Sequence, residues 1–320
     1  MKILVTGARG FIGSHFIRRL KTQMPEASIV AFGRDTNQWS KKRVEDLQEN
    51  VKWTHGDLNG DISGLCEGVD VVFNFAARTF VDHSIRDPEP FITANVLGTA
   101  NLLEEARRNG VGAFFQVSTD EVYGQILEGA HHEESPLCPR NPYAASKAGA
   151  DALVISYAHT FNMWTCVTRT ENNYGSWQHP QKAMPVFVSK ACNNQPIPVY
   201  GDGQHVRQWL HVSDHCDALI ELLKEGKLGN KVDKGEIFHV AGNQETTNEE
   251  LAKKILRVLG RPDSLIEYID DFNIRPGHDR RYALSCDKIK NAIGWVPKVG
   301  LDEGLAETIK WYADNQWWCK

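Results

Sequence analysis

Short apolar runs alternate along the chain with longer stretches that are apolar on one side only. That is the pattern of strands buried on both faces of a sheet and linked by helices. Residues 2–6, 29–32, 51–55, 69–77, 113–117 and 164–168 read as strands. Residues 14–20, 90–109 and the stretch from Pro142 onward read as the helices between them. Repeated alternation of this kind gives an α/β fold, a Rossmann-type doubly wound parallel sheet with right-handed crossovers.

From Glu171 the order loosens. A Pro-bounded helix is expected near 186–194, followed by Pro196-Ile197-Pro198-Val199-Tyr200-Gly201, then a helix at 214–224 and a strand at 237–240. Thr247 and Glu250 have the spacing of a capping box for a helix through Leu259, and residues 301–316 read as a last helix. The Trp317-Trp318 tail is expected to pack on the body or at a subunit contact. The division that follows is a dinucleotide-binding domain over residues 1–170, to which some later segments return, and a smaller C-terminal α/β substrate-binding domain over 171–320.

Composition narrows the function classes. At 320 residues with a net charge of -5, the chain has no basic run to attract nucleic acid. No run approaches the roughly 20 apolar residues of a membrane span. Met1-Lys2 leads straight into the first strand, which leaves no room for a signal peptide. The seven cysteines are scattered, without a C-x-x-C pair, and read as reduced thiols of a cytoplasmic protein, with no metal site.

The chemistry begins at the first strand end. Gly7-Ala8-Arg9-Gly10-Phe11-Ile12-Gly13 separates a strand from a helix, where glycines permit a tight turn and the helix N-terminus offers N–H groups to a pyrophosphate. An NAD site usually has a carboxylate after the second strand for the adenosine ribose. Here Gly33-Arg34 stands instead, with Arg9 in the loop, and two guanidinium groups suit a 2′-phosphate. NADP is therefore expected, with NAD as the alternative if Asp35 takes the ribose. Asp57 and Leu58 are placed to meet adenine, and Ala76 to flank the cofactor.

At the end of strand 113–117 stands Ser118-Thr119-Asp120-Glu121-Val122-Tyr123-Gly124. Asn141 and Pro142 suit the N-cap and first turn of a helix that carries Tyr143 and Lys147 four residues apart on one face. An ammonium beside a phenol favours the phenolate, as does the helix dipole, which makes Tyr143 a candidate base near neutral pH. The basic loop Arg275-Pro276-Gly277-His278-Asp279-Arg280-Arg281 suits a diphosphate.

Taken together these residues resemble the extended short-chain dehydrogenase/reductase family and, within it, nucleotide-sugar 4,6-dehydratases of the dTDP-glucose 4,6-dehydratase type. The likeness runs nearly end to end and also rests on Val81-Asp82-His83-Ser84, Asn172-Asn173-Tyr174-Gly175, residues 198–203 and Arg207 to Val212. It implies that Tyr143 takes the C4 hydroxyl proton of a nucleotide hexose while hydride passes to the nicotinamide, with Thr119 orienting that hydroxyl and Lys147 holding the phenolate and the nicotinamide ribose. Glu121 would then remove the C5 proton and Asp120 protonate the departing C6 hydroxyl. The hydride would return to C6 from a tightly bound cofactor regenerated each turnover. Asn173, Arg207 and Arg275 would grip the diphosphate, and the family's homodimer, built on a four-helix bundle, is expected.

Several positions depart from the family pattern. Arg78-Thr79-Phe80, Asn74 and Arg169-Thr170-Glu171 border the expected sugar pocket. Arg78 and Glu171 are expected either to pair or to read a substituent such as an acetamido group. The substrate is thus dTDP-glucose, UDP-glucose or UDP-N-acetylglucosamine. The alternatives are a 5,6-dehydratase that returns hydride to C4, a 4-epimerase, disfavoured by Asp120, and a cofactor-binding regulator without catalysis.

Overall fold

The computed structural model describes residues 1–35, 37–242, 244–270 and 275–319. Its central sheet has seven strands, all parallel. They are β1 (Lys2–Thr6), β2 (Ser28–Gly33), β3 (Val51–His55), β4 (Val71–Asn74), β5 (Ala113–Thr119), β6 (Thr165–Thr170) and, later in the chain, β10 (Glu236–Val240), in the spatial order β3-β2-β1-β4-β5-β6-β10. The order reverses beside β1, between β1 and β4. In such sheets ligands bind outside the carboxyl ends of the strands at that point.

Alternate residues along each strand face opposite sides. Ile3, Val5, Phe73 and Phe115 therefore join the core under helix Phe11–Gln23 and helix Val212–Glu221, whereas Leu4, Val72, Phe114 and Val167 join the core under helix Gly98–Arg108 and helix Pro142–Phe161. Helices on both faces make the sheet doubly wound, as the alternating pattern predicts.

The remaining strands are β7 (Asn172–Tyr174), β8 (Ile197–Tyr200), β9 (Val206–His211), β11 (Glu245–Thr247) and β12 (Ile266–Ile269). They form a three-stranded sheet, β11-β9-β7, and a two-stranded one, β12-β8. Around them a separate apolar core gathers Tyr174, Met184, Phe187, Leu251, Leu305 and Trp318. The capping box forms as the spacing indicates, with Thr247 accepting from the Glu250 N–H.

Two elements differ from the sequence reading. The strand expected over 69–77 is regular only over Val71–Asn74, and Phe75 to Ala77 border the cleft described below. The helix expected over 90–109 is not uniform, since Ile92–Leu97 widens into a π-turn. That turn buries Asn95, whose amide binds the Arg78 backbone N–H (2.8 Å) and C=O (3.1 Å) and donates to Ser146 Oγ (2.8 Å). Wide turns of this sort are commonly placed next to working sites.

Candidate active site

The cofactor end of the cleft is set by β1 and the helix after it. Gly7 sits at φ +62°, and a Cβ there would lie 2.6 Å from the Phe75 carbonyl carbon; one on Gly13 would lie 2.5 Å from the Gly7 carbonyl oxygen. Only glycine allows strand, loop and helix to approach this closely. Gly10 is the N-cap and has no side chain to cap with, so the first-turn N–H groups face an acceptor from outside the chain. Gly7, Arg9, Gly10, Phe11, Ile12 and Gly13 all line one cleft of about 470 Å³. Arg34, Asp57, Leu58 and Ala76 line it too.

The two arginines expected to receive a 2′-phosphate are otherwise engaged. The Arg9 guanidinium meets His55 Nε2 at 3.1 Å and lies over the Trp53 ring. Arg34 pairs with the Asp57 carboxylate at 3.1 Å. The Asn59 N–H, with help from Arg34, holds Asp57 below the usual carboxylate range, so a second anion here would compete with a fixed one. This arrangement gives the NADP expectation no support. Arg43, absent from the sequence reading, also borders the cleft. It is buried and donates to the Arg9 carbonyl and to the Trp177 carbonyl, both at 2.8 Å, so it braces the glycine loop from behind. Nothing in its helical, polar surroundings marked it in advance.

The reacting end is built by β5 and helix Pro142–Phe161. β5 runs on to Thr119, and the chain then tightens into one turn over Asp120–Tyr123. Thr119 Oγ1 accepts from the Glu121 N–H (3.3 Å) and donates to Asp120 Oδ1 (2.9 Å). Asn141 serves both elements: its Oδ1 caps the helix at the Ala144 N–H (2.8 Å), and its Nδ2 donates to Glu121 Oε2 (2.9 Å). Thr119, Asp120, Glu121, Tyr143 and Lys147 line the same cleft as the glycine loop.

The two adjacent carboxyls are in different surroundings. Burial and the Glu121 charge push the Asp120 carboxyl up to about 7, so a sizeable fraction of it is protonated at neutral pH. Burial raises Glu121 as well, but Asn141, Arg275, Arg207 and Lys182 all favour its ionised form. An acid and a base are thereby set side by side. Lys182 is another residue that the sequence reading missed. Its ammonium donates to the Thr79 carbonyl (2.9 Å) and lies over the Phe80 ring, and burial brings it down to about 8.

Tyr143 departs from expectation. Burial first, and the Glu121 charge second, raise its phenol above the ordinary value instead of lowering it. Lys147 Nζ donates to the Val117 carbonyl at 2.7 Å, and burial lowers it to about 8. The protein alone therefore does not make the phenolate near neutral pH.

Glu171 and Asn173 line the cleft. Asn173 is held by Thr170 Oγ1 (3.0 Å), the Glu171 carbonyl (2.9 Å) and His215 Nδ1 (2.8 Å). Arg207 and Arg275 line a smaller recess that shares Glu121 and Asn172 with the cleft. Arg275 pairs with Asp82 (2.7 Å), and Arg207 lies over the Tyr282 ring. Arg78 lies outside both. Its side chain is exposed, and Glu171 accepts from the Gly242 N–H at 3.1 Å, so the expected Arg78–Glu171 pair does not form. Among the described residues no cluster of histidine, cysteine, aspartate and glutamate fits a metal ion, and no helix is long and apolar enough to cross a membrane.

With this geometry in place, likeness to known proteins can be weighed. The GDP-mannose 4,6 dehydratase family profile matches residues 4–308. A dTDP-glucose 4,6-dehydratase from Actinoplanes sp. is 42% identical over 99% of this chain and 100% of its own length. The low-salt glycan biosynthesis protein Agl12 of Haloferax volcanii is 42% identical over 98% of each chain. Among solved structures, the dTDP-glucose 4,6-dehydratase DesIV from Streptomyces venezuelae, with NAD bound, superposes with a TM-score of 0.91 at 40% identity, covering 99% of this chain and 98% of its own. NAD, and not NADP, is what that relative carries, which with the engaged arginines corrects the cofactor expectation. The chain belongs to the GDP-mannose 4,6 dehydratase family, as an NAD-dependent hydro-lyase of the nucleotide-sugar 4,6-dehydratase type within the extended short-chain dehydrogenases/reductases.

Proposed function

We propose that the chain converts dTDP-glucose to its 4-keto-6-deoxy product, using NAD. The feature that carries this reading is the pair at one cleft: Asp120, which burial and the Glu121 charge raise to about 7, beside a Glu121 that three cations and an amide favour as carboxylate. A 4-epimerase has no use for either group, and a regulator without catalysis has no use for the pair. That relatives at about 40% identity are dTDP-glucose 4,6-dehydratases favours dTDP-glucose over the UDP-sugars.

In this reading Thr119 orients the C4 hydroxyl and Tyr143 takes its proton. A bound nicotinamide would supply the hydride acceptor and donor, and its positive charge would favour the Tyr143 phenolate that the protein alone disfavours. The glycine loop and the bare helix N-terminus hold the pyrophosphate, with Arg43 bracing the loop. A C4 ketone makes the C5 proton acidic. Glu121 removes it, Asp120 passes its proton to the C6 oxygen, and water departs. Asn173, Arg207 and Arg275 hold the nucleotide diphosphate.

The same reading includes a homodimer. Ile92 and Leu97 on the widened helix and Phe161 at the end of the Tyr143 helix are exposed, and these helices pack side by side in one subunit. Seven unpaired thiols suit a reducing, cytosol-like compartment.

The test is incubation with dTDP-glucose, UDP-glucose and UDP-N-acetylglucosamine. Loss of one water together with the alkaline absorbance of a 4-keto sugar, fastest with dTDP-glucose, is the expected outcome. Water loss without the ketone would favour the 5,6-dehydratase, and no water loss with any donor would remove both.

A further inference from the structure

Glu171 is a buried carboxyl that the reaction above leaves unused. It follows β6, and the strand register sets Thr170 opposite Thr119, so Glu171 and Asp120 leave neighbouring strands side by side. It is 4% exposed and lines the same cleft. Its Oε2 accepts from the Gly242 N–H (3.1 Å). That N–H is fixed, because a Cβ on Gly242 would lie 2.1 Å from the Trp209 carbonyl oxygen. Its Oε1 is buried without a partner.

Among the described residues no lysine, arginine or histidine pairs with Glu171. An unpaired carboxylate in such a place is costly, so the group stays neutral. Burial and the neighbouring Asp120 both push it well above the usual range. With Oε2 accepting and no donor reaching Oε1, the proton sits on Oε1 as an O–H donor.

We propose that Glu171 is a positioning residue for the elimination: its neutral Oε1–H donates a hydrogen bond to the carboxylate that Asp120 becomes. The inference rests on the dehydratase reading. As Glu121 takes the C5 proton, the C5–H electron pair becomes the C5–C6 double bond. The C6–O bond breaks with its pair on oxygen, and that oxygen takes the Asp120 proton and leaves as water. Asp120 is left as an anion in a dry site, and the Glu171 O–H, which keeps its proton, stabilises it. A charge-assisted bond of this kind is roughly twice as strong as a neutral one.

The test compares wild type, E171Q and E171L with dTDP-glucose across the neutral pH range. Turnover needs Asp120 protonated and falls as pH rises through its pKa. Removing the donor in E171L raises that basic limb by about one pH unit and lowers kcat about tenfold, while KM stays within about threefold. E171Q keeps a neutral donor and leaves the limb in place. A limb that moves down in either variant means that Glu171 is charged, and an unmoved limb in E171L means that it does not touch Asp120; either overturns the proposal. Should E171L fail to fold, infrared difference spectra of wild type against E171Q decide: a protonated-carboxyl band persisting above neutral pH and lost in E171Q is required, and its absence sinks the idea. A wild-type protein that dehydrates no nucleotide hexose would instead sink the dehydratase reading.

Discussion

At the residue scale the central feature is that two neighbouring carboxyls stand in different electrostatic surroundings. Asp120 Oδ1 accepts from the Thr119 hydroxyl and Asp120 feels Arg207, whereas Glu121 has the Asn141 amide and the fields of Arg275, Arg207 and Lys182. With Asp120 raised to about 7 and acting as the acid in the proposed reaction, kcat is expected to hold below neutral pH and fall as pH rises through about 7. A pH–rate profile checks this, and a D120N variant that retains the falling limb would contradict it. D120N and E121Q should each lower kcat by about a hundredfold or more while dTDP-glucose still binds. The pair itself was legible in the sequence, since adjacent Asp and Glu after an apolar strand are unusual chemistry. The agents of the split were only partly legible. Arg207 and Arg275 entered as diphosphate ligands, while Asn141 entered only as a cap and Lys182 not at all. Arg34 shows the opposite failure: its type suggested a phosphate, but its partner Asp57 lies after another strand, and only the fold brings them within 3.1 Å.

At the scale of elements, the glycine loop was readable because a strand–glycine–helix order has one main physical use. G13A would force a Cβ against the Gly7 carbonyl oxygen and should cut NAD retention roughly tenfold or more, measured by releasing and quantifying bound dinucleotide. The ion pair between Arg169 on β6 and Asp151 on the Tyr143 helix (3.0 Å) was less readable, since the pairing is non-local and both partners are fully buried. Asp151 also accepts from Ser118 (3.0 Å), and Arg169 donates to the Tyr123 hydroxyl (2.5 Å), so the pair ties β5, β6 and the catalytic helix together. Arg169→Met, which strands a buried carboxylate, should cost about 3–5 kcal/mol in denaturant unfolding. The π-turn at Ile92–Leu97 was invisible in advance, because its cause is Asn95 reaching the Arg78 backbone, a contact set by tertiary structure and not by helix propensity.

At the scale of the whole molecule, the alternating runs of the first 170 residues announced the sheet, but the return of β10 to its edge could not be placed from pattern alone. The second core was harder to foresee, because its short strands carry little periodic signal. Its closing element is the C-terminal tail: Trp318 is fully buried, donates to the Gln178 carbonyl (2.8 Å), and its own carbonyl accepts from Trp39 Nε1 (2.9 Å). Trp318 also lies over Arg43, so the end of the chain supports the residue that braces the glycine loop. W318A should destabilise the fold by about 3–5 kcal/mol. A thermal or denaturant melt measures that, and a loss within experimental error would show the tail to be dispensable.

In the proposed reaction all of these parts serve one act, the internal transfer of a hydrogen from C4 to C6, which makes C5 acidic before water leaves. The most direct measurement is turnover of dTDP-glucose carrying deuterium at C4, with the product read by mass spectrometry and NMR. The label is predicted to reappear at C6 within the same sugar, with none lost to solvent. Deuterium retained at C4 would mean a 5,6-dehydratase, and deuterium washed out, or an unchanged sugar, would contradict the account.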